Sequence, residues 1–445
     1  MTHSFHATAK AKTAFILRAL NYRNYRLFFT GQIISLIGTW MTNVATGWLV
    51  YRLTGSALML GLIGFAGQLP AFLLVPFAGL LVDRHSRHRI LVITQTLSMA
   101  ESLILAALTL THRITIPWLL GLSVFQGLIN AFDMPCRQTF VVEMIENRKD
   151  LSNAIALNSS MFNLARLIGP AIGGVLIAAV GEGWCFLIDG LSYIAVLAAI
   201  LSMTVKPPVI SKQASMRPRQ QLHEGWKYVV GSTAIRSIIT LLALVSLVGV
   251  PYTVLMPIFA GTVLGGGPHT LGFLMAAVGV GALAGALWLA ARKSVLGLGR
   301  MIGISTVIFG TGLILFSFSR VLWVCLAALV ISGFGFMVQV ASSNTILQTI
   351  VPDDKRGRVM SFFVMAVVGT APFGSLLAGA LSEKIGVPHT LFLCGIACAL
   401  GGLWFYRQLP AFRETIRPIY RKLGIIPEVA SGLEAAAELS VPPKE

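Results

Sequence analysis

Residues 79–91 read Gly79-Leu80-Leu81-Val82-Asp83-Arg84-His85-Ser86-Arg87-His88-Arg89-Ile90-Leu91. The polar block Asp83 to Arg89, with three arginines, interrupts an otherwise apolar stretch. One apolar run, 58–82, ends here and another, 89–111, begins. Each is long enough to cross a bilayer as a helix. Outward in both directions the same pattern recurs. About twelve apolar runs of roughly 19–27 residues can be marked. They lie at 25–50, 58–82, 89–111, 116–138, 152–179, 184–204, 236–260, 270–292, 300–318, 321–347, 359–382 and 389–408. The 34 Lys and Arg alternate by side: 29 fall at the N-terminus, in the even-to-odd loops and in the C-terminal tail, 4 fall in the odd-to-even loops, and Arg166 alone lies inside a span. Such asymmetry is the positive-inside signal, and it places both termini in the cytoplasm.

Composition points the same way. The chain is 56% hydrophobic with a mean hydropathy of +0.79, which excludes a soluble globular protein. Continuous apolar runs mean helices rather than a barrel, because lipid offers the backbone no hydrogen-bond partner. The net charge of +17 therefore reports topology, not nucleic-acid binding, which needs a basic soluble domain. Residues 1–24 carry no cleavable signal pattern. Cys136, Cys185, Cys325, Cys394 and Cys398 show neither disulfide nor zinc spacing. No nucleotide loop, metal cluster or nucleophile constellation is present, so neither an enzyme nor a cofactor is expected.

The expected architecture is an all-α integral membrane protein of twelve transmembrane helices in two six-helix halves. Residues 1–204 form the N-terminal half, 205–235 a basic cytoplasmic linker, 236–409 the C-terminal half and 410–445 a cytoplasmic tail. Within the linker, Leu222 to Tyr228 could form an interfacial helix. The tail begins basic and ends Ala/Glu-rich, which suggests mobility. A weak echo between the halves aligns Thr139, Met144-Ile145 and Arg148-Lys149 with Thr345, Ile350-Val351 and Asp354-Lys355.

Two stretches carry a family resemblance. In residues 79–91, Gly79, Leu81, Asp83, Arg84, Arg87 and Leu91 match the loop motif of the major facilitator superfamily, while Val82, Ser86 and His88 depart from it. In span 5, Gly169, Pro170, Gly173 and Gly174 resemble the end of that superfamily's antiporter motif, with Ala156 and Ala165 at its earlier glycine positions. Ala165, Gly169 and Gly173 form a small-residue stripe that lets another helix approach closely, and span 8, with Gly272, Gly279, Gly281 and Gly285, is its expected partner. Asn21-Tyr22-Arg23-Asn24-Tyr25-Arg26, Tyr51 to Ser56 and Arg356-Gly357-Arg358-Val359 narrow the likeness to the bacterial branch that contains the enterobactin exporter. The resemblance covers about residues 20–410. It implies a proton-driven secondary active transporter of the bacterial inner membrane that exports siderophores or drugs. It also implies a cytoplasmic gate at Gly79, Asp83, Arg84 and Arg87, which Asp133 and the start of span 11 would complete. A monomer is expected.

Polar residues at membrane depth suggest the cavity. Ser123, Gln126, Asn130, Asp133 and Arg137 share one face of span 4; Gln32, Ser35, Thr39, Thr42, Asn43 and Thr46 stripe span 1; Ser332, Gly335, Gln339 and Ser342 stripe span 10. Such faces read as walls of an aqueous cavity. Candidate substrate contacts are Gln32, Asn43, Gln126, Asn130 and Arg166 from the N-terminal half, with Tyr252, Phe336, Gln339 and Phe362 from the other. The substrate should be bulky and amphipathic, and apolar where it meets the C-terminal half. The superfamily's span-4 arginine is replaced by Ser123, so coupling is sought elsewhere, at Glu101, Asp189 and Arg166. An acid–arginine pair in the N-terminal half is the expected proton site. A nutrient symporter and a non-transporting scaffold are the competing readings. The first usually needs polar groups from both halves, and the second needs no polar stripes.

Overall fold

A computed structural model describes residues 17–204, 218–292 and 294–422. Twelve of its helices are long and apolar enough to cross a membrane. Spans 1 to 6 are Arg23–Thr54, Ala57–Arg84, Arg87–Leu110, Ile116–Glu143, Leu151–Val180 and Glu182–Leu201. Spans 7 to 10 are Thr233–Val263, Pro268–Ala290, Leu298–Phe318 and Leu322–Ile350, span 11 is Lys355–Ile385 and span 12 is Val387–Arg407. Most helices outrun the apolar runs by a few residues, because polar residues at their ends continue the backbone ladder. One end of the bundle, the neutral end, carries the connections 55–56, 111–115, 181, 264–267, 319–321 and 386. These are short and nearly free of charge; Gly55, at φ 62°, ends span 1 where Ser56 caps span 2 through the Met59 amide. The opposite, basic end carries most of the Lys and Arg.

Helix packing repeats. In the N-terminal half, span 1 packs on spans 5 and 6, span 2 on span 4, and span 3 on spans 4 and 6. In the C-terminal half, span 7 packs on 11 and 12, span 8 on 10, and span 9 on 10 and 12. Adding six to each number converts one set into the other. The seams between halves obey the same symmetry, span 5 against span 8 and span 2 against span 11. This is the arrangement of an internal repeat, in which a central site lies between two similar bundles.

Span 7 is interrupted by π-turns at Val245–Gly249 and Phe259–Val263, and span 11 by one at Met365–Gly369. In span 7, Pro251 and Pro257 lack an amide proton, so the ladder shifts register around them. The Val250 amide bonds the Val245 carbonyl at 3.0 Å, and Leu264 bonds Phe259 at 3.1 Å.

The linker and the start of the tail carry helices beyond those expected. A helix covers Pro218–Gly231, longer than Leu222 to Tyr228, and docks on the start of span 11. There Glu224 pairs with Arg358 at 2.7 Å, and Lys355 lies over the Tyr228 ring. The tail begins with the helix Leu409–Lys422, and its Ala/Glu-rich end, where mobility is expected, lies outside the described residues. Leu409, Phe412, Ile416 and Tyr420 form the helix's buried face under the C-terminal half, while the arginines point away. Residues 205–217 and 423–445 lie outside the described residues.

Candidate functional site

A cavity of about 550 Å³ lies between the halves. Its two walls differ. The N-terminal half contributes Thr39, Thr42, Asn43 and Thr46 from span 1, Gln68 from span 2, and Glu101 and Ser102 from span 3. It also contributes Ser123, Gln126 and Asn130 from span 4, Arg166 from span 5, and Asp189 and Tyr193 from span 6. The C-terminal half contributes Val250, Val254, Met256 and Pro257 from span 7 and Leu271, Met275 and Val278 from span 8, with Thr253 as its one hydroxyl. Every charged and amide side chain therefore stands on one wall, and the other is apolar. The Arg166 guanidinium rests 5.8 Å from the Trp40 ring centroid, where the ring's negative face holds it beside the cavity.

Within the polar wall two carboxyls are buried together. Asp189 Oδ2 accepts hydrogen bonds from Thr42 Oγ1 at 3.0 Å and Ser102 Oγ at 2.9 Å. Glu101 Oε2 lies 3.4 Å from the same Ser102 hydroxyl. Of the residues named as coupling candidates, Glu101 and Asp189 share the Ser102 hydroxyl, and Arg166 lines the same cavity. The hydrogen bonds to Asp189, however, come from hydroxyls, and Arg166 is engaged with Trp40 rather than paired as an acid–arginine bridge.

The halves meet toward the neutral end through glycine. A Cβ on Gly174 would lie 2.8 Å from Gly272 Cα and 2.7 Å from the Pro268 carbonyl oxygen. A Cβ on Gly379 would lie 3.0 Å from Gly61 Cα. Lower in the seam, Phe373 of span 11 packs edge-on against Phe65 and Phe72 of span 2.

Residues 16–423 match the model of the family described as transmembrane secretion effector. The chain belongs to that family. Among curated relatives, it is 26% identical over 383 residues to the staphyloferrin A transporter of Staphylococcus aureus, covering 86% of this chain and 95% of the relative. It is 27% identical over 388 residues to the multidrug efflux pump Tap of Mycolicibacterium fortuitum (85% and 93% covered). It is 25% identical over 389 residues to macrolide efflux protein A of Streptococcus pyogenes (84% and 94%). The fold is that of a bacterial homologue of the human lysosomal transporter Spinster, at a TM-score of 0.70 and 15% identity, with 88% of this chain and 98% of that one covered. The nucleoside transporter NupG superposes at a TM-score of 0.64 and 14% identity (88% and 99%). The chain is thus a multi-pass transporter of major facilitator type in the inner membrane, not an enzyme, and its resemblance to the siderophore and drug efflux branch holds.

Of the residues expected to line the cavity, Asn43, Gln126, Asn130 and Arg166 do so. Gln32 is buried outside the lining. Tyr252 is buried edge-on against Phe309, and Phe336 packs against the same ring. Phe362 lies under the linker helix, 6.0 Å from Trp226. Gln339 is corrected together with its whole stripe. Gly335 lies against the Ser305 carbonyl of span 9, and Ser332 returns its hydroxyl to the Ala328 carbonyl at 3.0 Å. Gln339 and Ser342 are buried outside the cavity lining, and neither side chain has a hydrogen-bond partner among the described residues.

The antiporter-like stripe is also corrected. A Cβ on Gly169 would meet Trp40 and the Ile37 carbonyl, and one on Gly173 would meet Met41, so Ala165, Gly169 and Gly173 face span 1. The adjoining face, with Pro170 and Gly174, meets Gly272 of span 8. Gly281 and Gly285 pack instead on span 10.

At the basic end, Asp133 accepts hydrogen bonds from Thr94 at 2.8 Å and Gln95 at 2.7 Å, and pairs with Arg137. Arg87 pairs with Glu143. Of the expected latch, Arg87 meets span 4 at Glu143, while Asp133 takes its hydrogen bonds from Thr94 and Gln95 of span 3 and pairs with Arg137 of its own helix. The side chains of Asp83 and Arg84, and the packing at Gly79, lie outside what the structure describes.

One contact went unforeseen. Glu383 Oε2, on span 11, accepts from the Leu58 amide at 3.2 Å and the Ser56 hydroxyl at 3.1 Å, at the first turn of span 2. A carboxylate from one half thus caps a helix of the other, where free amides and the helix dipole favour an anion. Glu383→Ala should weaken closure of the neutral end modestly, because the contact is solvent-accessible. Labelling of an Asn43→Cys reporter from the neutral end should rise about twofold to fivefold. An unchanged labelling rate removes Glu383 from the gate.

Proposed function

We propose that this chain exports an amphipathic small molecule, siderophore-like or drug-like, by proton-coupled alternating access, and that it works as a monomer. The observation that carries the reading is the division of the cavity. A ligand with hydrogen-bonding groups on one side and an apolar surface on the other satisfies both walls, whereas a uniformly polar nutrient leaves the span 7 and span 8 wall dry. The relatives that handle staphyloferrin A, several drugs and macrolides support that substrate range. The Lys and Arg distribution supports a cytoplasmic basic end and cytoplasmic termini. The close approaches between halves toward the neutral end then make this conformation an inward-facing one, loading from the cytoplasm. A complete cavity within one chain supports action as a monomer. Buried carboxyls beside the cavity supply groups that could carry the driving proton.

The test is a strain lacking this protein, exposed to a panel of amphipathic drugs and assayed for secreted siderophore. Retention of at least one such compound inside the cells, reversed by the restored gene, is the expected result. Equal retention across the panel, with uptake of a polar nutrient impaired instead, sinks the reading.

A further inference from the structure

The coupling site can be narrowed beyond a pair of acids, and this step rests on the proposed proton coupling. Asp189 on span 6 is 2% exposed and Glu101 on span 3 is 5% exposed. Asp189 Oδ2 takes two hydroxyl donors, from Thr42 and Ser102. Its Oδ1 finds no hydrogen-bond partner and sits against Gly38, where a Cβ would lie 2.5 Å away. The titratable and charged groups near this point are Glu101 from span 3 and Tyr193 on the same helix as Asp189, with Arg166 of span 5 on the same wall of the cavity. Span 1 contributes Thr42, which does not titrate. No hydrogen bond from a cation to either carboxyl is present among the described residues.

Proton counting constrains the arrangement. A serine hydroxyl owns one proton and two lone pairs. The Ser102 proton, 2.9 Å from Asp189, is committed to that carboxylate. The same hydroxyl is also within reach of Glu101 Oε2, at 3.4 Å, so its one proton serves one carboxyl at a time and both contacts are satisfied together only when the other carboxyl brings a proton of its own. Two ionised carboxylates buried so close would also repel one another without a counter-ion. Such pairs titrate as a unit.

We propose that Glu101, Ser102 and Asp189 form a single proton-holding relay, with Ser102 as its positioning residue. In the transfer, the Glu101 O–H bond breaks as a bond forms to Ser102 Oγ, and the original Ser102 proton passes to Asp189 Oδ2. Glu101 is left ionised, Asp189 neutral and Ser102 unchanged. Glu101 and Asp189 both line the cavity wall, so the relay exchanges protons there. Thr42, beside Asn43 on the same wall, feels whether Asp189 is an acceptor-only carboxylate or a neutral acid. That links proton occupancy to the substrate surface.

The experiment is pH-titrated infrared difference spectroscopy on the full chain in liposomes, with the proton itself as probe. The wild type should show one protonated-carboxyl band from this site. Glu101→Gln and Asp189→Asn should each leave a lone acid whose midpoint moves by about one pH unit or more. Ser102→Ala should shift the band and uncouple the two acids, and Ser102→Thr should restore the wild-type spectrum. Two independently titrating carboxyls in the wild type, or a Ser102→Ala spectrum identical to it, overturn the relay. So does a Ser102→Thr protein as altered as Ser102→Ala, which would leave Ser102 a packing role only. No substrate is needed, so this result stands apart from the success or failure of the export assay.

Discussion

Gly174→Leu should abolish transport while the protein still folds and inserts. With the neutral end closed, a Cβ at this position already lies 2.7 Å from a carbonyl oxygen and 2.8 Å from the Gly272 Cα. Both neighbours are backbone, so no side chain can swing aside. Overpacking of this kind costs about 1–3 kcal/mol, and more where backbone must move. The strain exists only where the halves touch, so it falls on one conformation. It moves a two-state equilibrium by about tenfold to a hundredfold or beyond. Asn43→Cys, in the cavity wall, should label far faster from the neutral end in the Gly174→Leu background, and the five native cysteines are all buried and add little background. Normal transport with parental labelling would show that spans 5 and 8 do not form the seam. Gly169→Leu is a useful contrast. Its clash is with Trp40 and Ile37 inside one half, so it should reduce stability rather than redirect access.

Arg166→Ala should separate substrates by charge. Arg166 is the cation among the described residues lining the cavity, and stacking on Trp40 holds it at the wall. A hydrogen bond to a charged group contributes about 1.5–3 kcal/mol, so a ligand with a carboxylate should lose about tenfold to a hundredfold in affinity. A neutral analogue of the same shape should lose little. Lysine should rescue in part, since it restores the charge without the planar donor array. Competition of paired acid and amide analogues against one labelled substrate checks this, and equal losses for both members would assign Arg166 to packing.

Much of this was legible in the chain itself. Lipid forces long apolar helices, and the alternation of basic loops orders them, so the twelve spans could be counted before any packing was known. Residues 79–91 and 169–174 resemble motifs of the superfamily residue by residue. The N-terminal wall was also readable, because Asn43, Gln126, Asn130 and Arg166 are too polar to face lipid. Span 10 shows where that argument stops. Ser332 is polar in type but satisfies its hydroxyl on its own helix, so its face could serve water or close packing equally well. Phe362 could not be placed because its neighbour, the linker helix, is far away in sequence. Spacing shows that Ala165, Gly169 and Gly173 share a small-residue face but not which helix meets it; span 1 does, and the adjoining Gly174 meets span 8. The Glu383 contact to Ser56 joins residues in different halves, and neither has a distinctive local pattern. The tail helix was readable and overlooked. Leu409, Phe412, Ile416 and Tyr420 recur at helical spacing opposite Arg413, Arg417 and Arg421.

The central claim is that a proton gradient drives an amphipathic molecule out through this cavity. It is tested most directly by accumulation of such a molecule, one retained by the deletion strain, in everted membrane vesicles acidified inside. The account predicts accumulation well above equilibrium, collapse on adding a protonophore, and loss of uphill but not downhill movement in Asp189→Asn. Accumulation that survives the protonophore, or that is undiminished in Asp189→Asn and Glu101→Gln alike, would contradict it.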